Sequence, residues 1–292
     1  MALVQFSLQH SQRIMSSPSI PTACLLRVPP LLVPQFISMP LFQQKVSPFS
    51  TIRCGIWGSS ILFRRIAAEF ITIVGLGARL PGDANSPEEF RKLLLANYDA
   101  ITDIPADRWD GRYFHDPENL GLVGKCIQNK GGFLKGHPID EFDVKFFSIS
   151  PREAQSLDPN QRLLLEVAYE TFEDAGVTLQ QVNGSRTGVF VCISATDYSH
   201  LQFPDRNTID GHTHTGVSTS INANRLSYFY NLIGPSFIVD TACSSTLVAL
   251  NCACQSIRCR ESDAALCGAV NLMIDPEIAV GFSKLEIGCL IT

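Results

Sequence analysis

The stretch Asp240-Thr241-Ala242-Cys243-Ser244-Ser245-Thr246-Leu247 joins a strand signal, a turn signal and a helix signal. Before it, Gly234-Pro235 turns the chain into Ser236-Phe237-Ile238-Val239, an apolar run of strand character. After it, Thr246 to Ile257 reads as a helix lined with small residues. Small residues between the two predict a tight turn. Cys243 therefore falls at a strand-to-helix elbow, at the predicted amino end of a helix. There, unpaired backbone N–H groups and the helix dipole favour a thiolate. Small neighbours let a substrate carbonyl come close to the sulfur, and the Cys243 N–H can face a tetrahedral oxyanion. This is the logic of an activated nucleophile. The bland reading is a buried structural cysteine, the ordinary fate of a free thiol. The residues of the elbow alone leave both open. Ser244 and Ser245 lack a G-x-S-x-G setting and read as helix-cap residues.

Outward from the elbow, strand and helix signals alternate. Ile71-Thr72-Ile73-Val74 is a short β-branched strand, followed by Gly75-Leu76-Gly77. A dinucleotide fingerprint needs a further glycine where Leu80 stands, so nucleotide binding is rejected. Ser86-Pro87-Glu88-Glu89 opens a helix with a capping box, and Phe90, Leu93, Leu94 and Leu95 supply its apolar face. Ser150-Pro151-Arg152-Glu153 and Asp158-Pro159-Asn160-Gln161 start two more helices. The second carries Leu164, Val167, Ala168, Phe172 and Ala175 as its buried stripe and stops at Gly176. Thr187 to Ile193 is apolar without alternation, as in a strand covered on both faces of a parallel sheet. Gly216 to Tyr230 reads as helix and Ala264 to Ile274 as strand. Strands alternating with helices predict an α/β layered fold.

The chain has 292 residues, 45% of them hydrophobic and 17% charged, enough for a sizeable core. A net charge of −5 gives no reason to expect nucleic acid. No stretch reaches 18 apolar residues, so no membrane span is expected. The ten cysteines lie mostly in apolar runs, which suits a reducing, cytoplasmic compartment. Charge is unevenly placed. Residues 1–68 hold six Lys/Arg and no acid, leaving 17 of the 23 basic residues and all 28 acidic ones beyond them. Prolines at 29, 30, 34, 40 and 48 break any helix there. The organisation expected is an extension over 1–69 that is disordered or targeting-like, a domain over 70–287 and a short tail over 288–292. The composition of residues 1–68 suits a mitochondrial transit peptide, a disordered extension or translated non-coding sequence alike.

Gly234-Pro235-Ser236 followed by Asp240-Thr241-Ala242-Cys243-Ser244-Ser245 resembles the active-site signature of β-ketoacyl synthases of polyketide synthases and animal fatty-acid synthases. Ile73 to Gly82 resembles that family's opening strand and turn. Asp107-Arg108-Trp109, Phe146 to Ala154, Leu157 to Glu166 and Asn224 to Tyr228 match further blocks. The resemblance covers about residues 70–287. It implies a thiolase-like five-layered αβαβα sandwich, of which this chain carries the first half, usually as a homodimer. It implies that Cys243 is the acylated nucleophile, with its own backbone N–H in the oxyanion hole. The acyl group would arrive on the phosphopantetheine arm of an acyl carrier protein. No bound cofactor and no metal are implied. The reaction class is decarboxylative condensation of acyl and malonyl thioesters in fatty-acid or polyketide biosynthesis.

The chain also departs from the pattern. The family uses two histidines in His-Gly-Thr-Gly-Thr and Asn-Ile-Gly-His contexts. His10, His115, His137, His200, His212 and His214 all precede Cys243 and none lies in either context. The chain as written is thus expected to load an acyl group but not to condense it. The competing reading is a catalytically incomplete fragment serving as a partner surface, or a broken gene product. A cysteine hydrolase is disfavoured because no His or Asn partner follows Cys243. His212-Thr213-His214 has no companion at ligand spacing, and Cys252-Ala253-Cys254 with Cys259 lacks the C-x-x-C pattern. Asp240 is given no catalytic role, and Asp158 and Glu153 read as caps.

Overall fold

Five strands form one sheet in the order β2 (Thr72–Ala78), β1 (Thr22–Arg27), β7 (Ala264–Ala269), β5 (Thr187–Cys192) and β6 (Ser236–Val239). The computed structural model describes residues 22–27, 71–118, 123–203 and 206–285. β5 pairs in parallel with β7 and β6, whereas β1 pairs antiparallel with β2 and β7. Four strands therefore run one way and β1 alone runs against them. The loop-rich stretch after α1 (Pro87–Leu95) is tied by a two-stranded ribbon, β3 (Thr102–Asp103) with β4 (Lys130–Gly131).

The alternation of β5 sorts the core into two layers. Val189 and Val191 face the helices α3 (Pro159–Asp174) and α7 (Thr219–Tyr230), with Leu164, Leu165, Val167, Phe172, Leu226 and Tyr230. Phe190 and Cys192 face α8 (Ser245–Arg258), with Ala249, Ala253 and Ile257. Every residue of β5 is buried, as its unbroken apolar run requires. The described layers are thus αβα, with α8 alone on its side of the sheet.

The start signals act as read. Ser86 and Ser150 accept from the N–H groups of Glu89 and Glu153, and Asp158 accepts from Asn160 N at 2.8 Å. The side chains three residues after these caps do not bond back to the cap's own N–H. Glu89 reaches back to Asn85 N, Glu153 pairs with Arg225 at 2.7 Å, and Gln161 donates to Gly216 O at 2.9 Å. The last two side chains join α2 (Pro151–Ser156) and α3 to α6 (Thr213–Val217) and α7 rather than closing a cap. Burial lifts the Asp158 carboxyl to about 6.

Several expectations need correction. Leu94 and Leu95 are 42% and 71% exposed, so only Phe90 and Leu93 of α1 pack inward, against Ala78, Leu80 and Ala84. Helix over 216–230 is broken at Ser218, whose extended backbone (ψ 124°) separates α6 from α7. β7 ends at Ala269, short of Ile274. Among the described residues β6 is the last strand of the sheet, and Phe237 is 41% exposed where a buried strand was expected. Within residues 1–68, Thr22–Arg27 forms a strand, where the sequence suggested an unstructured extension. Its signal, Ala23-Cys24-Leu25-Leu26, is a brief apolar run that prolines and the acid-poor composition around it mask. The rest of residues 1–70, and the tail 288–292, lie outside the described residues.

Candidate active site

β6 ends at Val239, and five residues later Ser244 takes the N-cap position of α8. The turn between them needs a left-handed residue, and Ala242 supplies it at φ 55°. A side chain in that region costs of the order of 1 kcal/mol and persists only where its surroundings over-determine it. Here they do. Asp240 Oδ1 accepts from Ala242 N at 3.0 Å and from Ser194 Oγ at 2.9 Å. Ser245 Oγ accepts from Thr241 N at 2.7 Å and donates to Ala242 O at 2.6 Å. Ser244 Oγ donates to Thr241 O at 2.9 Å. The elbow is therefore a cross-braced turn, with Cys243 exposed at its tip, one residue before the N-cap of α8.

Burial separates the cysteines. Cys126, Cys192 and Cys267 are buried, and Cys243 is exposed. Burial pushes the Cys192 thiol up to about 12 and raises that of Cys126, so both stay protonated and unreactive at neutral pH. Cys259 is also exposed, but it sits at the opposite end of α8, at the C-cap. The two exposed thiols among the described cysteines thus mark the two ends of one helix.

Asp240, Ser194 and Ser245 are site residues that the sequence did not assign. Asp240 holds the backbone two residues on, a local habit of Asp that its place in a strand obscured. Ser194, from the carboxyl end of β5, is far away in sequence and only the parallel pairing of β5 with β6 brings it in. The serines act in the brace and not through a helix-cap bond, since Ser244 makes no side-chain cap.

Two clefts of about 430 and 610 Å³ lie elsewhere, around Trp109 and His115 and around His137 and Arg162, and Cys243 lines neither. Among the described residues, the one group of three metal-capable side chains is His200, Asp275 and Glu277. His200 Nδ1 lies 2.9 Å from Glu277 Oε2 and 3.6 Å from Oδ2 of the buried Asp275. His214 stands apart from it, packed on Phe203. No helix of the described residues is long and apolar enough to cross a membrane.

A parallel-core sheet between α3/α7 and α8, with a cysteine elbow after β6, defines one half of a thiolase-like fold. The chain belongs to the β-ketoacyl synthase family, matching the description "Beta-ketoacyl synthase, N-terminal domain" over residues 68–289. It is 44% identical over 218 residues to "Probable polyketide synthase 1" of Dictyostelium discoideum, covering 74% of this chain and 7% of that protein. It is 44% identical over 223 residues to one component of the phenolphthiocerol/phthiocerol polyketide synthase of Mycobacterium tuberculosis, covering 75% of this chain and 10% of that one. Among solved structures, an oxazolomycin ketosynthase domain of Streptomyces albus matches at 35% identity and TM-score 0.66, over 72% of this chain and 36% of that chain. The module 6 ketosynthase of the Bacillus subtilis bacillaene synthase matches at 36% and TM-score 0.64, over 73% and 34%. The chain is of the polyketide synthase type of ketosynthase, and it spans about a third of the solved ketosynthases and a tenth or less of these two curated relatives.

Proposed function

We propose that Cys243 is the acyl-accepting nucleophile of a polyketide-type ketosynthase. The observation that carries this is the braced elbow, which holds one exposed sulfur at the amino end of α8. In the loading step, the thiolate attacks the carbonyl of an acyl thioester on the phosphopantetheine arm of an acyl carrier protein. A tetrahedral oxyanion forms against backbone N–H groups at the elbow, that of Cys243 included. Its collapse leaves an acyl-Cys243 thioester and expels the pantetheine thiolate, which takes up a proton. Condensation then needs a malonyl thioester to lose CO₂ and its carbanion to attack the acyl-Cys243 carbonyl, freeing the sulfur. The enolate oxygen needs stabilisation as its charge develops. The rings of three histidines are engaged elsewhere: His115 with Ile127 O, His200 with Glu277, and His214 with Phe203. The loading half-reaction is the activity that the braced elbow supports.

Purified chain given acyl- and malonyl-carrier proteins tests the reading, with Cys243→Ala as control. Release of pantetheine thiol dependent on Cys243, without β-ketoacyl product, is the expected result. Equal thiol release by the Cys243→Ala variant contradicts it. A product above the control level would assign the decarboxylation to residues of this chain.

A second reading, a partner surface, is favoured by β6. It has a paired strand on one side only among the described residues, and Phe237 and Leu247 beside it stay 41% and 50% exposed. A second copy adding its own β6 across this edge would form the homodimer. Sedimentation should then find a dimer that Phe237→Asp converts to monomer; a monomeric parent chain rules this out.

A further inference from the structure

A buried carboxylate with one oxygen unengaged stands just before α9 (Glu277–Lys284). It belongs to Asp275, which is 7% exposed. Its Oδ1 accepts from Glu277 N at 2.9 Å. Its Oδ2 accepts no hydrogen bond among the described residues and lies 3.6 Å from His200 Nδ1. Burying a carboxylate oxygen without a donor or a cation costs stability. Among the described residues, His200 is the one basic side chain within ion-pair range of Asp275 and Glu277. A third carboxylate, that of the buried Asp197, stands nearby, and burial, with the Asp275 charge adding to it, holds its carboxyl above the ordinary range. One imidazole does not balance three acids.

The fold sets these groups in place from two directions. α5 (Asp197–Gln202) carries Asp197 and His200 three residues apart, on one face. Asp197 Oδ2 accepts from Ile274 N at 3.0 Å and Asp275 N at 3.4 Å, which ties the stretch after β7 to α5. Glu277 opens α9 and points Oε2 to within 2.9 Å of His200 Nδ1. One ligand atom from each of His200, Asp275 and Glu277 lies within 4.8 Å of the other two. Ligand atoms bound tetrahedrally to one zinc ion stand roughly 3.3 Å from one another. The separations of 2.9 and 3.6 Å lie on either side of that distance. An imidazole nitrogen with two carboxylate oxygens is a donor set for first-row transition cations, whereas Mg²⁺ and Ca²⁺ take oxygen alone. The hydrogen bond on Asp275 Oδ1 is the outer support that a ligating carboxylate uses.

We propose that His200, Asp275 and Glu277 hold a divalent transition cation of zinc type, which clasps α5 to the amino end of α9. Water completes the coordination, since the His200 and Glu277 side chains are 50% and 64% exposed. Binding displaces the proton that His200 Nδ1 otherwise shares with Glu277, and that proton leaves to solvent. No residue of the Cys243 elbow takes part, so the role is structural and separate from acyl loading.

Titration of the full, untagged, chelator-stripped chain with Co²⁺ tests the proposal, because cobalt absorption separates imidazole and carboxylate ligands from thiolates. One equivalent should bind with d–d bands and without a thiolate charge-transfer band. Zn²⁺ should displace it, Mg²⁺ in large excess should not, and binding should weaken as pH falls. His200→Ala should weaken binding at least about tenfold and abolish the rise in melting temperature that Zn²⁺ produces. His200 is half-exposed, so this variant keeps the fold, and Asp275→Asn gives a second, buried arm. Absence of binding overturns the proposal and leaves an ion pair only. Binding that His200→Ala leaves unchanged, or absorption of thiolate character, overturns it too. Each of these outcomes leaves the acyl-loading reading standing, because Cys243 is not a ligand.

Discussion

The two sides of the sheet are built by different means. On the side of β6 and α8, neighbours in space are close in sequence: β6, the elbow and α8 are one continuous run from Ser236 to Arg258. Its strands are parallel, and its braces are mostly local hydrogen bonds across two to four residues. On the side of β2 and β1, contacts span long separations. Leu76 meets Asp174 and Arg79 meets Glu170, 98 and 91 residues apart. Cys243 sits where geometry is fixed locally. The other side is held by backbone contact with α3 and by a strand from outside the family segment. A site that needs sub-ångström placement is best carried by rigid, contiguous structure, and this molecule puts Cys243 there.

The largest test of this contrast is Gly75→Val. The new side chain meets Thr171 O and the Ala175 backbone, neither of which can move cheaply. Loss of more than about 4 kcal/mol, or of a cooperative thermal transition, is expected. Phe190→Ala, on the α8 side, leaves a cavity and should cost about 3–5 kcal/mol while the fold survives. A well-tolerated Gly75→Val in a melting experiment would show that β2 is not seated on α3.

Next in size is Asp240→Ala. It frees Ala242 N and Ser194 Oγ and releases the left-handed turn. Alkylation of Cys243 should slow about tenfold, equivalent to about 1.4 kcal/mol, with global stability falling by about 1–2 kcal/mol. Asp240→Asn keeps the acceptor and should restore most of the rate. Equal loss in both variants would mean that the carboxylate's charge matters and its hydrogen bonds do not.

A separate effect, seen only as pH changes, comes from Asp158. Its folded value, about 6, lies above its ordinary 3.8, so the folded chain binds the extra proton between those two pH values. Stability contributed by this group is therefore greatest below pH 4 and falls as pH rises through about 6, by about 3 kcal/mol. Denaturant midpoints measured from pH 4 to 7 should show this fall, and Asp158→Asn should flatten it while keeping the cap. The smallest effect expected is Leu95→Ser, within about 0.5 kcal/mol, because Leu95 is 71% exposed. A larger loss would mean that α1 is covered by a partner.

The contrast also explains what the sequence made legible. The elbow could be read from eight consecutive residues, because a strand, a small-residue turn and a helix start are all local signals. The caps at Ser86, Ser150 and Asp158 were legible for the same reason. The brace from Ser194, the edge position of β6 and the insertion of Thr22–Arg27 all depend on which strand lies beside which. Strand order is a property of the assembled sheet. Ala23-Cys24-Leu25-Leu26 carries too little period to announce a strand, and only its two partner ladders make it one.

Whether Cys243 is the acyl acceptor is decided by locating the acyl group. The chain is incubated with an acyl-pantetheine thioester, quenched in acid, digested and mapped by mass. Cys259 serves as the internal comparison, since it is exposed at the other end of the same helix. The acyl mass is expected on the peptide bearing Cys243, at least tenfold above that on Cys259, with Cys126, Cys192 and Cys267 unmodified. Acylation shared equally between Cys243 and Cys259 would overturn this assignment, because exposure alone would then explain the chemistry and the elbow would contribute nothing.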